Sequence, residues 1–508
     1  MNESAVFIPY FVVLPLAGAF VSALLGKRFH QLPTFIGSLT PVVLFGISLV
    51  TVYSVRHEAT VVYHVGGWQP PIGIAMVIDG LTVFMLVTVN MVASAIALYA
   101  WAYMERYTAK GMFYTLMLLM LAGMNGVIVA GDLFNLFVFL EIATVASYAL
   151  VAFGTERHEL EAAFKYAVMG TLGSLFILLG IVLLYGLTST LNMADMRLTL
   201  ASLTDRNLLL MVTVLFLMGF GLKAALVPFH AWLPDAHPAA PAPISAMLSG
   251  VLIKTLGIYA LSRVLHHVIG VTPMVSSVLL MLGTLSMVVG VLLAFGQRDL
   301  KRLLAYSSIS QVGYVILGLG LGTPLGILGG VFHLLNHAVG KSLLFLNAGA
   351  VEYATGTRDL QEMGGLAQKM PVTGGTSVVA AMSIAGLPPL GGFWSKLLII
   401  MAAVQADHLG YALWAVIVSV LTLALFVNAM KDAFFGVLPQ RWHGIQEVPG
   451  VMQVSMLALA LLCVVSGLLL LPGVREGFLS KAATSFFDGV HYAEVLGQMF
   501  GQMLGKTP

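Results

Sequence analysis

The sequence predicts an all-α polytopic membrane protein with about 14 transmembrane helices. Of its 508 residues, 59% are hydrophobic and only 9% are charged, against roughly 25% charged in an ordinary soluble domain. So few charges cannot cover a water-facing surface, which indicates lipid as the solvent. The apolar runs are continuous rather than alternating, which excludes a membrane β-barrel. The formal net charge of only +2 gives no excess of basic residues that would indicate nucleic-acid binding.

Long apolar runs define the individual helices, because crossing a hydrocarbon core of about 30 Å takes roughly 20 mostly apolar residues. The predicted segments are 5–25, 34–54, 74–102, 112–130, 133–153, 166–187, 208–232, 242–263, 274–295, 303–322, 326–351, 372–405, 410–430 and 451–471.

Prolines interrupt two of these segments, and each helix is expected to split there because proline removes a backbone donor and clashes with the preceding turn. The prolines are Pro228, Pro234 and Pro238 in the region 220–238, at the end of the seventh segment, and Pro388 and Pro389 in the twelfth. Unwound backbone at this depth is tolerated where protein buries it or it lines a watery cavity. Five segments separate the breaks, and an odd number reverses orientation. The pattern predicts two inverted five-helix repeats with broken seventh and twelfth helices; two harmless kinks are the alternative.

The predicted domains follow these repeats: residues 1–110 (helices 1–3), 111–264 (helices 4–8), 272–435 (helices 9–13) and 436–508 (helix 14 and a short C-terminal tail). The positive-inside rule predicts a multi-pass protein of the cell (inner) membrane with both termini on the non-cytoplasmic side. Twelve basic residues then fall on the cytoplasmic side, among them Lys27 and Lys301, against four on the other, among them Arg263.

Five ionisable residues lie well inside apolar runs: Glu141, Lys223, Lys254, Lys341 and Lys396. Each charge at mid-bilayer costs about 2.5–3.5 kcal/mol on insertion scales, and such residues are functional by default. We therefore expect these side chains to face a protein interior or water, and we expect residues of opposite charge to form ion pairs. A packing role is the alternative for Lys254, and a simple hydrogen bond to a hydroxyl is the alternative for Glu141.

Glu141 is predicted to pair with Lys223, which lies just before the first helix break. A buried ammonium is stable next to a carboxylate and costly without it. Separation of the pair would release the lysine proton, so a pair that opens and closes could exchange energy with a proton gradient. His230 follows Lys223 by seven residues, across the break, and Lys396 follows the second break by four.

His333, His337 and Lys341 are spaced by four residues, which places all three on one helix face. Histidine titrates near neutral pH, so the row is a candidate ladder for proton transfer. Zinc binding is an alternative, but the zincin glutamate is missing between the histidines and no third ligand is evident; a packing role is another. Asp79 is a candidate cap or access group at a membrane face, and Asp132 is predicted to begin a helix.

No resident metal or cofactor is predicted. Cys463 is the only cysteine, which excludes a cysteine-ligated iron–sulfur cluster or a four-cysteine zinc site within this chain. No Gly-x-Gly-x-x-Gly run and no Gly-Lys-Ser/Thr loop occurs, so nucleotide binding has no support.

Several stretches resemble the proton-translocating antiporter-like subunits shared by respiratory complex I, multisubunit (Mrp-type) sodium/proton antiporters and membrane-bound hydrogenases. They are FLEIATVASYALVAFG, FGLKAALVPFHAWLPDAHPAAPAPISAMLSGVLIKTLGIYAL, RDLKRLLAYSSISQVGYV, FHLLNHAVGKSLLFLNAGAV and AGLPPLGGFWSK. The resemblance covers roughly residues 75–435, and the chain looks most like the Mrp-type D subunit.

The resemblance implies that Glu141 and Lys223 form the family's glutamate–lysine pair, that Lys254 is the central relay and that Lys396 is the exit residue. It implies a proton-translocating subunit of a multisubunit complex, with other membrane subunits, and with redox subunits if the complex is a complex I-like NADH:quinone oxidoreductase or a hydrogenase. Protons, with or without sodium, would be transported. A stand-alone solute transporter, a quinone-binding redox enzyme and a scaffold are the competing classes.

Overall fold

The computed structural model describes residues 6–57, 60–70, 72–202 and 206–487. Within these residues, fourteen helices or helix pairs cross the bundle, as predicted. They are α1 (Tyr10–Leu25), α2 (Leu32–His57), α3 (Gly80–Tyr103), α4 (Lys110–Val129), α5 (Leu133–Val151), α6 (Arg157–Thr188), α7a (Arg206–Lys223) with α7b (Leu233–Ala239), α8 (Ala242–Ile269), α9 (Pro273–Phe295), α10 (Leu300–Gly320), α11 (Pro324–Thr355), α12a (Pro371–Ala385) with α12b (Gly391–Gln405), α13 (Leu409–Phe434) and α14 (Gly450–Leu470).

The lengths and composition of these helices fit a bilayer. Ten of the helices in the described residues are long and apolar enough to cross a membrane. Their outer faces carry large exposed apolar side chains, such as Val145, Phe164 and Leu413, which only a lipid or protein environment accommodates. By contrast, α8 is buried along almost its whole span, so the centre of the bundle is shielded from lipid.

Four segments differ from the sequence prediction, one of them α6, which begins at Arg157, nine residues before its predicted start. The third predicted span begins too early, because Ala75–Ile78 (β2) pairs antiparallel with Val61–His64 (β1) in a hairpin before α3. The helix α8 continues to Ile269, so Arg263 lies buried within it rather than in a loop. Similarly, Lys301 is buried in the first turn of α10. Two of the charges assigned to loops are therefore parts of the packed bundle.

Two loops carry the same backbone structure at an offset of 167 residues. The segment before α5 pairs with the segment after α6, and the segment before α10 pairs with the segment after α11, each through an isolated antiparallel bridge. The matched bonds are Leu133 N to Leu191 O (3.0 Å), Met193 N to Gly131 O (3.1 Å), Leu300 N to Arg358 O (3.0 Å) and Leu360 N to Arg298 O (2.9 Å). The repeat is thus expressed in the hydrogen bonds as well as in the helix order.

The side chains of the two loops repeat as well. The helices α6 and α11 are both 32 residues long, and each ends at a left-handed residue, Ser189 (φ 54°) or Gly356 (φ 74°). Thr190 Oγ1 lies 3.4 Å from Asp195 Oδ2, and Thr357 Oγ1 lies 2.6 Å from Glu362 Oε2. The shared pattern is Thr-x-Thr-x-Asn/Asp-x-x-Asp/Glu-Met over 188–196 and 355–363.

The matched loops lie at opposite ends of the bundle. Next to the first loop, Ile128 O accepts a 2.5 Å hydrogen bond from Tyr259, near the end of α8. In the second loop, Arg358 donates a 2.5 Å bond to Pro238 O, just before α8 begins. The two five-helix units are therefore inverted relative to each other, whereas the outer boundaries of the four predicted domains stay predictions. We call the end with Lys301 the Lys301 face and the other end the Asp79 face.

Candidate functional site

Glu141 and Lys223 come together, as predicted. Glu141 Oε1 lies 3.7 Å from Lys223 Nζ, between α5 and the end of α7a. Ser174 of α6 donates a short hydrogen bond to the same carboxylate oxygen, and Lys223 Nζ donates to Thr144 Oγ1 at 3.3 Å. The lysine side chain is buried, but the glutamate side chain is 32% exposed on the outer surface of α5. Ser174 and Thr144 provide the hydroxyl partners, which the sequence had not singled out.

The first helix break directly follows Lys223. Ala225 adopts a left-handed conformation (φ 54°), which an L-residue with a Cβ rarely occupies, and the helix cannot continue through it. The freed backbone groups find side-chain partners: Trp232 Nε1 donates to Leu222 O at 3.0 Å, and Val227 N donates to Ser286 Oγ at 3.0 Å. An unwound segment at this depth is thus satisfied by the surrounding protein, as lipid requires.

Lys254 lies at the centre of the bundle and is fully buried on α8. The helix is π-helical over Leu248–Leu252 and again over Lys254–Tyr259, a local widening that is frequent at functional sites. The ammonium donates a short hydrogen bond to Ser249 O. Between Lys223 and this part of α8 lies a cavity of ≈ 10 Å³, about the volume that a single water needs.

The polar row on α11 is buried and faces the interior, as its spacing predicts. The rings of His333 and His337 are nearly parallel, with centroids 6.3 Å apart, and both residues are inaccessible to solvent. His333 Nδ1 lies 2.9 Å from Ser395 Oγ of α12b. Lys341 Nζ donates to Leu304 O of α10 at 3.0 Å. The row therefore links α10, α11 and the second broken helix.

Lys396 reaches back across the second break. Its ammonium donates to Ile384 O at 2.8 Å and to Ala385 O at 3.2 Å, the last carbonyls of α12a. The negative end of a helix dipole and its unpaired carbonyls stabilise a cation. The ammonium also lies 4.8 Å from the ring centroid of Tyr314, whose ring is 5.4 Å from that of His333. Tyr314 thus connects Lys396 to the α11 row.

His230 is the one predicted site residue that the structure does not bring to the others. It lies half-buried in the break between α7a and α7b. Its Nδ1 atom is buried without a hydrogen-bond partner in the described part of the chain. Its role stays a prediction.

Several buried polar residues near the row escaped the sequence reasoning. Ser308 Oγ lies 2.7 Å from Ser249 Oγ, which joins α10 to the lysine helix. Other buried polar atoms in this region have no protein partner among the described residues: His237 Nδ1 and Nε2, His333 Nε2, His337 Nδ1 and Nε2, Ser307 Oγ, and Gln311 Nε2 and Oε1. The run Ser-Ser-Ile-Ser-Gln at 307–311, inside an apolar helix, was the signal for the α10 members.

Asp79 and Asp132 both cap helices, as expected for Asp132. Asp79 accepts from Thr82 N at 2.8 Å and binds Arg263 through both oxygens, at 2.5 and 2.6 Å. Burial favours a raised pKa for Asp79, but the guanidinium of Arg263 outweighs it and holds the pKa of this carboxyl well below its usual range. Asp79 is thus one member of a buried structural ion pair at the Asp79 face, and it does not serve as a solvent-exposed entry group for protons.

A lipid-facing bundle with two broken helices, built around a row of buried lysine and histidine side chains, defines the ion-translocating class of polytopic membrane proteins. Residues 130–422 match the model of the NADH:quinone oxidoreductase/Mrp antiporter transmembrane family, and residues 66–114 match that of the N-terminus of complex I chain 5. The chain belongs to the NADH:quinone oxidoreductase/Mrp antiporter family.

Relatives in this family include subunits of NADH-quinone oxidoreductases and subunits of Na(+)/H(+) antiporters. The N subunit of the NADH-quinone oxidoreductase of Desulforudis audaxviator is 40% identical over 423 residues, which cover 80% of this chain and 84% of the relative. The D subunit of the Na(+)/H(+) antiporter of Alkalihalophilus pseudofirmus is 35% identical over 429 residues, which cover 84% and 87%.

Solved structures share the whole fold. A chain of the Mrp complex from Dietzia sp. aligns with a TM-score of 0.89 at 28% identity, over 98% of this chain and 100% of that one. A chain of the archaeal membrane-bound sulfane sulfur reductase gives 0.88 at 32% identity, over 96% and 99%. A chain of Thermus thermophilus complex I gives 0.81 at 25% identity, over 95% and 99%.

Proposed function

We propose that this chain is a proton-translocating subunit of a multisubunit membrane complex, most similar in role to the D subunit of an Mrp-type cation/proton antiporter. The observation that carries the proposal is the 3.7 Å contact between Glu141 and Lys223, which begins a row of buried ionisable side chains. The row continues through Lys254 and the α11 histidines to Lys396. Side chains and water would pass protons along it, and no resident cofactor is invoked.

The pair at the start of the row is the adjustable element of this mechanism. Two unit charges about 4 Å apart interact by about 4 kcal/mol at an effective dielectric constant of 20. Carrying one charge through 100 mV is worth about 2.3 kcal/mol. Because these energies are comparable, separating Glu141 from Lys223 can be driven by a proton gradient or drive proton movement. Thr144, which already accepts from the ammonium, offers a neutral partner when the carboxylate withdraws.

Water would complete the conducting row. Buried polar groups are ordinarily hydrogen-bonded, by ordered water where protein offers no partner. The ring nitrogens of His237 and His337 and the amide of Gln311 are buried without a protein partner in the described chain. We assign these atoms as positions that bind water along the row.

The surface around Glu141 supports the assignment to a larger complex. Phe134, Val138 and Val145 form an exposed apolar stripe on α5, at helical spacing with Glu141. A carboxylate that faces hydrocarbon is costly, and such residues almost always face protein or water. We infer that another membrane subunit covers this stripe and shields Glu141 from lipid.

A second candidate function is a pump-module subunit of a redox-driven complex. It is favoured by the 40% identity to the N subunit of a quinone oxidoreductase and by the TM-score of 0.88 to a chain of the sulfane sulfur reductase. Both candidates use the same row of residues and differ in the energy source. Gentle purification from the native membrane, with mass spectrometry of the copurifying proteins, separates them. Subunits with iron–sulfur clusters, nickel or flavin favour the redox pump, whereas small hydrophobic subunits alone favour the antiporter.

The same proposal assigns the chain to the cell (inner) membrane with both termini outside and the Lys301 face towards the cytoplasm. The excess of basic residues on that face supports this orientation. Cysteine labelling of Lys27→Cys and Lys369→Cys variants in intact cells tests the orientation; labelling of both from the outside would contradict it.

Three variants of the intact complex test the proposed function: Glu141→Ala, Lys223→Ala and Lys396→Ala. Each is expected to abolish proton-coupled transport in membrane vesicles, while the complex still assembles and copurifies. The matched control is Lys369→Ala, which removes an exposed lysine outside the helices. Normal proton transport in all three assembled variants would overturn the proposal.

A further inference from the structure

We propose that Glu352 and Lys301 form the proton port of the row at the Lys301 face, where they exchange protons between the aqueous phase and Lys341. The inference rests on the proposed proton-translocating function and adds an access site to it. Glu352 Oε2 lies 2.9 Å from Lys301 Nζ. The glutamate side chain is 29% exposed, whereas the lysine side chain is only 2% exposed. The pair thus has one member in contact with solvent and the other inside the bundle.

Glu352 opens onto a wide polar cavity. The cavity has a volume of ≈ 460 Å³ and is lined by the charged residues Arg298, Asp299, Glu352, Arg358 and Asp359. A second cavity of ≈ 340 Å³ shares Asp299 and Arg358 with it. Spaces of this size with charged walls hold water. The outer member of the pair is therefore accessible to protons at the face of the bundle.

Lys301 leads from this cavity towards the buried row. It begins α10, and Leu304 follows three residues later, about 4.5 Å further along the axis. The carbonyl of Leu304 accepts the hydrogen bond of Lys341 at 3.0 Å. Lys341 in turn lies one helical turn from His337. Glu352, Lys301, the Leu304 carbonyl, Lys341 and His337 thus lie in this order from the cavity to the α11 row.

Comparison of the two repeats distinguishes a port from a structural clamp. At the offset of 167 residues, Lys301 corresponds to Phe134 and Glu352 corresponds to Tyr185, and both of these residues are exposed. The first repeat keeps the bridge, the capped helix start and the left-handed helix end without any ion pair there. The backbone arrangement therefore does not need Glu352 and Lys301, which are an addition of the second repeat at one face.

Arg358 contacts the carboxylate of Glu352 and also lines the polar cavity. Its Nε atom lies 3.1 Å from Asp299 and 3.7 Å from Glu352 Oε1. Its Nη1 atom donates to Pro238 O, and Lys301 Nζ donates to Ala240 O at 3.3 Å. The segment between α7b and α8 is thus held beside the pair. Once Lys301 has released a proton towards the row, Glu352 passes it a proton taken from the water of the cavity, which restores both the ammonium and the carboxylate.

The test is proton-coupled transport by the intact complex in vesicles, for Glu352→Gln, Glu352→Asp and the control Glu105→Gln, which changes a loop carboxylate paired with Lys110. A positioned proton-transfer group contributes about 10²–10⁴-fold. Because water reaches this site, we expect Glu352→Gln to be about tenfold slower. A small membrane-impermeant buffer on the Lys301 side should restore its rate, whereas the same buffer on the other side should not. Glu352→Asp, which keeps a carboxyl group, and Glu105→Gln should resemble the wild type without added buffer.

A wild-type rate of assembled Glu352→Gln, independent of buffer, would overturn the port. Equally slow Gln and Asp variants without a buffer response would also overturn it, because that result describes a clamp. If Glu352→Gln fails to assemble, the Asp variant decides: a normal, buffer-independent rate supports the port, and a slow rate without rescue contradicts it. Normal transport in all three variants Glu141→Ala, Lys223→Ala and Lys396→Ala would instead refute the proposed function itself, so the two failures are distinguishable.

Discussion

The two repeats share a backbone design but stabilise their intramembrane lysines in different ways. Lys223 lies 3.7 Å from a carboxylate, whereas Lys396 donates to the terminal carbonyls of α12a. Within the described residues, no carboxylate lies within ion-pair distance of Lys254, Lys341 or Lys396. A side-chain carboxylate can move and main-chain carbonyls are fixed. In the proposed mechanism, the first repeat would therefore provide the movable partner of a lysine, and the second repeat a fixed one.

The two faces of the bundle differ in a parallel way. At the Asp79 face, the buried charges are a closed pair: Asp79 binds Arg263 through both oxygens and neither side chain is open to water. At the Lys301 face, Glu352, which pairs with Lys301, lines a polar cavity of ≈ 460 Å³. The two faces are therefore not equivalent, although the two repeats are inverted copies of each other.

The largest expected effect comes from the residues that correspond across the repeats. Glu141 and Ser308 occupy equivalent positions, nine residues after the capping aspartates Asp132 and Asp299. We expect Glu141→Ser to reduce proton-coupled transport by about 10²-fold or more, because the proton-coupled partner of Lys223 is lost. Ser308→Ala should lose less than Glu141→Ser. Vesicle transport assays of both assembled variants measure this; equal losses would contradict the division of roles.

Asp79→Asn is expected to affect stability rather than conduction. Removing one partner of a buried ion pair typically costs about 3–5 kcal/mol. Because the pKa of Asp79 is below its usual range in the fold, its stabilising contribution is present above the unfolded-state value near 4 and is lost as pH falls through the folded value. The melting temperature of the variant complex should fall at pH 7, and the transport rate per assembled complex should not.

Removal of the charge should affect the stability of the protein differently at the two lysines. Lys223→Met leaves Glu141 without its cation and is expected to lower the unfolding free energy by about 1–3 kcal/mol. Lys396→Met removes a buried charge that has no counter-ion among the described residues, so its stability should be unchanged or higher. Both variants should lose transport. Thermal unfolding of the purified complexes measures the difference in stability between the two variants. If Lys396→Met lost stability and Lys223→Met did not, the prediction would be contradicted.

The smallest predicted effect concerns the repeated threonines. Thr357 Oγ1 makes a 2.6 Å contact with Glu362, whereas the corresponding Thr190 contact with Asp195 is 3.4 Å. Each threonine also accepts from a backbone N–H two residues on. Thr357→Val and Thr190→Val should each cost about 0.5–1.5 kcal/mol, with the larger value for Thr357. Melting temperatures of the two variants give the comparison.

Much of this architecture could be predicted from the sequence, because hydrophobic length, proline and intramembrane charge act locally. Those signals identified the helices, both breaks and the face shared by His333 and Lys341. The pairing of Glu141 with Lys223 followed from charge and depth. By contrast, β2 was hidden in an apolar run that begins at residue 74, since periodicity over four residues does not separate a strand from a helix end.

The charged pairs at the two faces could not be predicted in the same way. Asp79 and Arg263 are 184 residues apart, and only folding brings them together. The repeat with its offset of 167 residues is visible in the sequence as Thr-x-Thr-x-Asn/Asp at 188–192 and 355–359. Its two copies share few other residues, so its significance became clear from the matched hydrogen bonds.

A double-mutant cycle on Glu141 and Lys223 tests the central claim most directly. Proton uptake by vesicles that contain the intact complex would be measured for Glu141→Gln, Lys223→Met and the double variant. If the two residues act as one switch, each single variant loses coupled transport and the double variant is no worse than either, because effects within one unit do not add. Losses that multiply in the double variant, or normal transport in either single variant, would contradict the account.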